Sequence, residues 1–506
     1  MRTHLEIEAK YDLADGQALP DLTTVDGIDA VVAHSELVLT AIYFDTLTHS
    51  LATAGATLRR RTGGTDDGWH LKLPLADGER LEVHRDLGRA QTPPPTLTAL
   101  VRAIVRSDKL EAVATLVNRR TVLHLLGSDG TVLAELADDS VTGERHDVQA
   151  ATLTWRELEI ELVDGDRALL ADLDAAVRAG GIRPAGGPSK AGRVLGSAPP
   201  VGRSGRSGTR RKRPVEEVHL AGLRSAVQDV LSVDPLLRLD RPGAASLLHA
   251  SVRRLRAAVA LQAQVAGDEA TASIRTELAW LESLVAGVHG VEAARTRVRE
   301  ALAGQPKELV LGPVGRRADR ELAATRRTAL ALVREALDSP RYLDLLEAVS
   351  GLTMAAATEP TGPTVPSLGR AGDVLPDLAD WAVRRAERRL AELGRVGSSD
   401  DALASQVRGA HRAVERALYA EGLSTGDGPG PGRMAVMLEG TDILLTELDV
   451  CIQVRDVLRS AAVAAHGAGE NGFTFGLLHG LEQMHITVLL RRLDKLRKQM
   501  RRLRKG

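Results

Sequence analysis

Glutamates at alternate positions, Glu6 and Glu8 near the start and Glu157, Glu159 and Glu161 further on, carry the most chemical content in this sequence. In a β-strand, side chains point to opposite faces in turn. His4, Glu6, Glu8 and Lys10 therefore share one face, and Leu5, Ile7, Ala9 and Tyr11 the other. Leu158, Ile160 and Leu162 oppose the later glutamates in the same way. Cations recur in this arrangement: Arg59 with Arg61, His70 with Lys72, and Arg80 with Glu82 and His84, while Arg119 and Glu135 sit in similar strands. One such strand alone reads as an ordinary surface strand. Rows of both signs, each backed by an apolar face, are explained together by a closed barrel with an inverted interior. Its apolar faces pack outward on helices, and its charged faces line a wet tunnel.

The two signs suit a phosphate chain and a metal. Arg and Lys supply donors for a run of phosphates, Arg through its planar bidentate fork. A hard divalent cation takes carboxylate oxygens, and Mg2+ combines one or two of them with substrate phosphates and water. Such a cation screens phosphate charge and orients an attacking water.

Two textures meet near residue 200 and define the elements that position these residues. Before it, short alternating runs between Gly, Asp and Pro turns read as strands. They are His4–Tyr11, Leu37–Phe44, Thr57–Thr62, Gly68–Leu73, Arg80–Leu87, Asn118–Leu126, Thr131–Asp138 and Thr154–Val163, with helical stretches at Leu47–Ala54, Thr96–Val105 and Arg167–Ala179. The fold class is α+β, with an antiparallel, strand-rich first domain over residues 1–197. Residues 198–214 read as a linker whose glycines, serines and like charges cannot pack a core, with Arg210–Arg213 as a solvated tether or a grip for a polyanion. Residues 215–506 carry apolar residues every three or four positions, as in Leu220–Val230, Ala244–Val265, Ser273–Val288, Asp400–Ala420 and Arg433–Ala465. That periodicity predicts an all-α domain of helical bundles. Ala244–Gly290 is weakly similar to Asp400–Val457, as a duplicated bundle would be.

Composition narrows the function. The 66 Lys and Arg nearly balance 67 Asp and Glu, which argues against a uniformly basic nucleic-acid binder. Aromatics at 2% leave little for base stacking, so specific nucleic-acid binding is not expected. The lone Cys451 excludes an intramolecular disulfide or a multi-cysteine zinc site. Neither an apolar leader nor a long uncharged run is visible, so a cytoplasmic protein without a membrane span is expected.

The motifs Glu6-Ile7-Glu8-Ala9-Lys10, Tyr43-Phe44-Asp45-Thr46, Leu58-Arg59-Arg60-Arg61 and Trp69-His70-Leu71-Lys72 occur in order. Ala134-Glu135-Leu136-Ala137-Asp138-Asp139, Glu157-Leu158-Glu159-Ile160-Glu161 and Ser189-Lys190 follow them. Together they resemble the CYTH family of triphosphate tunnel metalloenzymes over residues 1–197. The resemblance implies a closed antiparallel tunnel of eight strands that hydrolyses inorganic or organic triphosphates, with Mg2+ or Mn2+. It implies metal ligation by Glu6, Glu8, Glu159 and Glu161 with Glu135 and Asp139 nearby, and phosphate binding by Lys10, Arg59, Arg61, Lys72, Arg119 and Lys190. Glu6, Glu8 and Lys10 would be the catalytic group. Val117-Asn118 departs from it, because relatives tend to carry another basic residue before Arg119-Arg120. Two other readings share these residues: a non-catalytic polyphosphate-binding scaffold, and adenylate cyclisation.

The helical half resembles a divergent CHAD domain, a module associated with polyphosphate. The likeness rests on Val252-Arg253-Arg254-Leu255-Arg256, Glu277-Leu278-Ala279-Trp280-Leu281, Ser339-Pro340-Arg341-Tyr342-Leu343 and the stretch Gly469–Gly480. Most positions where relatives grip a polyanion differ: Ala404, Val407, His411 and Val414 stand in one block and Leu448-Asp449-Val450 in another. His249, Arg253 and Arg256 share a helix face and remain as polyanion contacts. Polyphosphate or a protein partner is the expected ligand of this half.

Overall fold

The computed structural model describes residues 2–75, 79–146, 152–186, 189–196, 207–266, 269–354, 369–394, 400–425 and 432–505. The chain forms two compact units, Met1–Ser204 and Gly205–Gly506.

The first unit is built on one antiparallel sheet. Its strands are β1 (Arg2–Glu6), β2 (Glu8–Leu13), β3 (Ala30–Asp45), β4 (Thr57–Thr62), β5 (Gly68–Pro74), β6 (Arg80–Asp86), β7 (Glu111–Leu126), β8 (Val132–Arg145), β9 (Thr152–Leu162) and β10 (Arg183–Pro184). Their order is β1-β6-β5-β4-β3-β7-β8-β9-β2-β10. The closed eight-stranded barrel expected above is therefore corrected to an open ten-stranded sheet. The reason lies at Ile7, where the first strand divides: β1 pairs with β6 and β2 with β9. The two-residue β10 then extends the edge beyond β2. Because a single residue separates β1 from β2, the two sides of the sheet are nonetheless held together, and the Ile7 carbonyl accepts from the Leu162 N–H at 3.0 Å.

The short helices α1 (Ser50–Thr53), α2 (Pro95–Thr98) and α3 (Arg102–Val105) join strands, and α4 (Arg167–Ala179) and α5 (Lys190–Leu195) follow the sheet. Asp45 starts α1 by accepting backbone N–H groups of Leu51 and Ala52. Asp166 caps α4 and Ser189 caps α5, each side chain accepting a backbone N–H three residues on. The outward apolar face packs as its alternation requires: Leu136, Leu158 and Ile160 bury against Leu173 and Val177 of α4. The opposite face turns apolar at one level, where Ala41, Ala114, Leu116 and Val141 pack against Val194 and Leu195 of α5. Gly143 permits this seating, because a Cβ there would lie 2.4 Å from Val194 Cγ2.

The second unit is helical: α6 (Val215–Arg238), α7 (Ala244–Ala266), α8 (Glu269–Ala303), α9 (Val314–Asp338), α10 (Pro340–Met354), α11 (Ala371–Leu390), α12 (Asp400–Thr425), α13 (Arg433–Gly467) and α14 (Phe473–Lys505). Leu248, Val252 and Leu255 of α7 are fully buried, at the spacing of one helix face. Residues 198–206 of the expected linker lie outside the described residues. Its remainder is not a bare tether: Ser207–Lys212 is a 3-10 helix, and the Arg213 carbonyl accepts from the Ala371 N–H at 2.8 Å. No helix among the described residues is long and apolar enough to cross a membrane.

Candidate active site

Register assembles the charged rows. On one side Arg120, Asp139 and Glu157 stand across β7, β8 and β9, and two residues along Glu159 stands across from Lys10. The next row carries Glu135, Glu161 and Glu8. On the other side Thr57, Lys72, Glu82 and His4 align across β4, β5, β6 and β1, and Arg80 pairs with Glu6. These faces enclose a cavity of about 280 Å3 lined by fifteen charged or histidine side chains together with Tyr43, Thr57 and Ser189.

Ten of the residues singled out in the sequence line it: Glu6, Glu8, Lys10, Arg59, Arg61, Lys72, Glu135, Glu159, Glu161 and Lys190. Asp139 is fully buried beside it, bound by Arg120 through two hydrogen bonds of 2.7 Å and by Lys190 at 2.8 Å. Arg119 is corrected. It is exposed, and its neighbour Arg120 lines the cavity and donates to Glu159 at 2.6 Å. A one-residue shift along a strand exchanges faces. The sequence reading also left Tyr43, Asp66, Arg80, Glu82 and Glu157 out of the site. Arg80 and Glu82 were visible as a charged face, and Glu157 completes the alternation of Glu159 and Glu161.

Two carboxylate groups have different electrostatics. Asp139, Glu157 and Glu159 bring oxygens within 4.8 Å of one another, a set that could hold a metal ion. Lys190 Nζ already lies 2.8, 2.5 and 2.8 Å from them. Burial opposes ionisation of Glu159, but Lys10, Lys190 and Arg120 outweigh it and hold its carboxyl well below the usual range. A metal would have to displace that ammonium.

Around Glu6 the balance reverses. Lys72 Nζ donates to both Glu6 oxygens, at 2.7 and 2.8 Å. Burial and the hydrogen bond to Glu82 nevertheless push Glu6 up to about 8. Two carboxylates in contact resist ionising together, so Glu6 rises while Glu82, bonded to His70 and facing Lys72 and Arg59, is held well below the usual range. Burial also raises Glu161. Glu8 Oε1 is buried without a hydrogen bond, with Arg80 Nε 3.5 Å away. Surplus buried carboxylate with an unbonded oxygen is the donor set a hard divalent cation fits. Among the described residues the carboxylate oxygens that already converge are those of Asp139, Glu157 and Glu159, whereas Glu6, Glu8, Glu82 and Glu161 line the cavity without the Lys190 ammonium.

Cations occupy the other end. Arg59 donates to Tyr43 Oη at 3.3 Å, and its Nε is buried without a hydrogen bond. Burial and the adjacent Arg59 lower Arg61 to about 10, and Arg61 pairs with Asp66. Buried guanidinium groups lining one cavity favour an anion between them.

In the helical unit, the three residues expected to meet a polyanion are committed elsewhere. Arg253 binds Asp442 at 2.9 Å and Glu415 at 2.5 Å, and Arg256 pairs with Glu282. His249 stacks on His289 with ring centroids 5.1 Å apart, and burial with nearby Arg253 lowers it to about 3.

The CYTH domain description matches residues 4–179 and the CHAD domain description residues 221–426. An uncharacterized protein of Mycobacterium tuberculosis, found in strains CDC 1551 / Oshkosh and ATCC 25618 / H37Rv, is 31% identical over 97% of either chain. Among solved structures, PptA from Streptomyces chartreusis is 22% identical, covering 57% of this chain and 100% of its own, with a TM-score of 0.45. A putative adenylyl cyclase from Hippeastrum, described as having a dominant triphosphatase activity, is 17% identical over 38% of this chain and 96% of its own, with a TM-score of 0.26. With both domains matched in order and a relative aligned over 97% of either chain, the chain belongs to the CYTH family and carries a CHAD domain after the CYTH domain.

Proposed function

We propose that the sheet unit hydrolyses a triphosphate with the help of Mg2+ or Mn2+. The observation that carries this reading is one cavity lined both by the carboxylates Glu6, Glu8, Glu82, Glu159 and Glu161 and by the cations Lys72, Arg59, Arg61 and Arg120. Glu6, Glu8, Glu82 and Glu161 would hold the metal, with Glu135 at the same end. Bound there, the ion supplies charge neutralisation and an activated water.

The chain's own residues do the rest. Arg59, Arg61 and Arg120 bind the non-transferring phosphates, and fixed guanidinium groups need no reorganisation as charge moves toward the leaving oxygen. Lys72, Lys10 and Lys190 are held by carboxylates at rest, and each can turn to a phosphate oxygen when substrate enters. Lys10 stands between Glu8 and Glu159, which fixes its ammonium at the boundary of the two carboxylate groups. Metal release from the Glu6–Glu82 pair requires a proton in return, so metal affinity should rise with pH toward about 8.

This assigns residues 1–197 to the triphosphate site and 215–506 to an accessory domain, joined through 198–214, in a cytoplasmic protein. A residual polyanion-binding role for the helices has one favouring observation. Arg412 and Arg416 line a cavity of about 160 Å3 with Arg253, Arg256 and Arg275, and burial with neighbouring arginines lowers Arg416 to about 10. Phosphate release from tripolyphosphate and from ATP by the full chain tests the main reading. It predicts release with Mg2+ or Mn2+ that a chelator abolishes. Tight, turnover-free binding of tripolyphosphate would instead make the protein a phosphate-binding scaffold.

A further inference from the structure

One end of the cavity carries a carboxylate where a phosphate track would want none. Asp66 lines the cavity, its side chain is 50% exposed, and it pairs with Arg61, whose side chain is only 10% exposed. It therefore stands at a mouth, between solvent and the last guanidinium of the track. Its position is fixed by the turn between β4 and β5. Gly63 there has φ +102°, and a Cβ on it would lie 2.1 Å from the Val38 carbonyl oxygen, so the turn presses on β3. The Asp67 side chain accepts from the Gly64 N–H at 3.0 Å. His70 reaches the Asp66 carbonyl oxygen with Nε2 at 3.0 Å while its Nδ1 meets Glu82 at 2.5 Å.

On β7 the residue nearest this level is uncharged. Asn118 lies on the face of β7 that carries Arg120, two residues away, between Leu39 and Val141 in register. It is 7% exposed, and its Oδ1 has no hydrogen-bond partner among the described residues. Beyond it the interior is the apolar packing of Leu116 and Val141 against α5. Arg61 is thus the buried guanidinium beside the mouth, and its charge is already met by the Asp66 carboxylate.

We propose that Asp66 sets the length of phosphate chain the site accepts, by barring passage beyond Arg61. The inference rests on reading the cavity as a triphosphate site. A chain that stops at Arg59 and Arg61 displaces one carboxylate contact at most. A longer chain must run its further phosphates past Asp66, with like charges together at the mouth.

The test compares tripolyphosphate with long-chain polyphosphate, using full-length wild type, Asp66→Asn and Asp66→Ala, with Mg2+ for turnover and Ca2+ for calorimetric binding. The two readouts share one helical unit, so differences between wild type and variant report the cavity. Both variants should raise kcat/KM and affinity for the long chain roughly tenfold while tripolyphosphate changes far less. Equal changes for both substrates, or none, would overturn the inference, since Asp66 would then only balance Arg61. Wild type that turns over no triphosphate would overturn the hydrolase reading instead, and the binding ratio would still decide the role of Asp66.

Discussion

Opposite charges meet in both units of this protein, to different effect. In the sheet unit they converge: Glu159 alone contacts Lys10, Lys190 and Arg120, and all of them face one cavity. In the helices they mostly pair along surfaces, as Arg341 does with Glu277, Arg384 with Asp380 and Arg295 with Asp319. Strand alternation gathers charged faces from distant segments around one space. Helix surfaces spread theirs over a convex bundle, where a pair neutralises itself and exposed pairs contribute little. Convergence is what leaves charge for a ligand, and among the described residues it is found in the sheet cavity and, in the helices, near Arg412 and Arg416 and in the cavity lined by Arg388, Arg501 and Arg504.

The sharpest way to break this contrast is at the adjacent arginines of β7. Arg120→Met should lower phosphate release by roughly 10²- to 10³-fold, as removal of a preorganised donor does. Steady-state kinetics on tripolyphosphate read this directly. Next in size is a stability effect. Lys190→Met leaves Asp139, Glu157 and Glu159 without the ammonium they share, and should destabilise the sheet unit by about 3–5 kcal/mol in urea unfolding. Arg341→Met, which breaks a half-exposed helical pair, should cost no more than about 1 kcal/mol.

Two buried groups, one in each unit, should answer pH in opposite directions. Glu6 is raised from 4.5 to about 8, so burial and Glu82 favour its protonated form in the folded state. That contribution is complete below pH 4.5 and is lost as pH rises through about 8. His249 is lowered from 6.5 to about 3 by burial and Arg253, so the folded state favours its neutral form. That contribution is complete above pH 6.5 and is lost as pH falls toward 3. Unfolding followed across this range should show Glu6→Gln relieving the alkaline loss and His249→Gln the acid one. A common direction for both would contradict the assignment. The smallest effect is the outward arginine: Arg119→Met should leave phosphate release unchanged and stability within about 0.5 kcal/mol.

Most of the cavity was legible because alternation is a property of the chain itself. Glu6, Glu8, Glu159 and Glu161 each sit opposite an apolar residue, and that pattern survives into the fold. The choice of Arg119 over Arg120 failed for a physical reason. The face carrying Arg120 also carries Leu116, which packs against α5, so alternation of polar and apolar loses meaning where the interior changes from wet to packed. The division of the first strand at Ile7 has no local signal, since both halves are good strand sequence and the partners that separate them, β6 and β9, lie far along the chain. In the helices, His249, Arg253 and Arg256 share a face as their spacing requires, but spacing gives no view of Glu415, Asp442 and Glu282, which hold the two arginines.

The carboxylates of the sheet cavity would hold a metal for triphosphate hydrolysis. The most direct measurement is metal-dependent phosphate release from tripolyphosphate by the full chain, wild type against Glu6→Gln/Glu8→Gln. Calorimetric metal binding and thermal unfolding of the same samples accompany it. The account predicts that the double variant folds, binds the metal weakly and loses release by at least roughly 100-fold. A folded variant with undiminished metal-dependent release would contradict it.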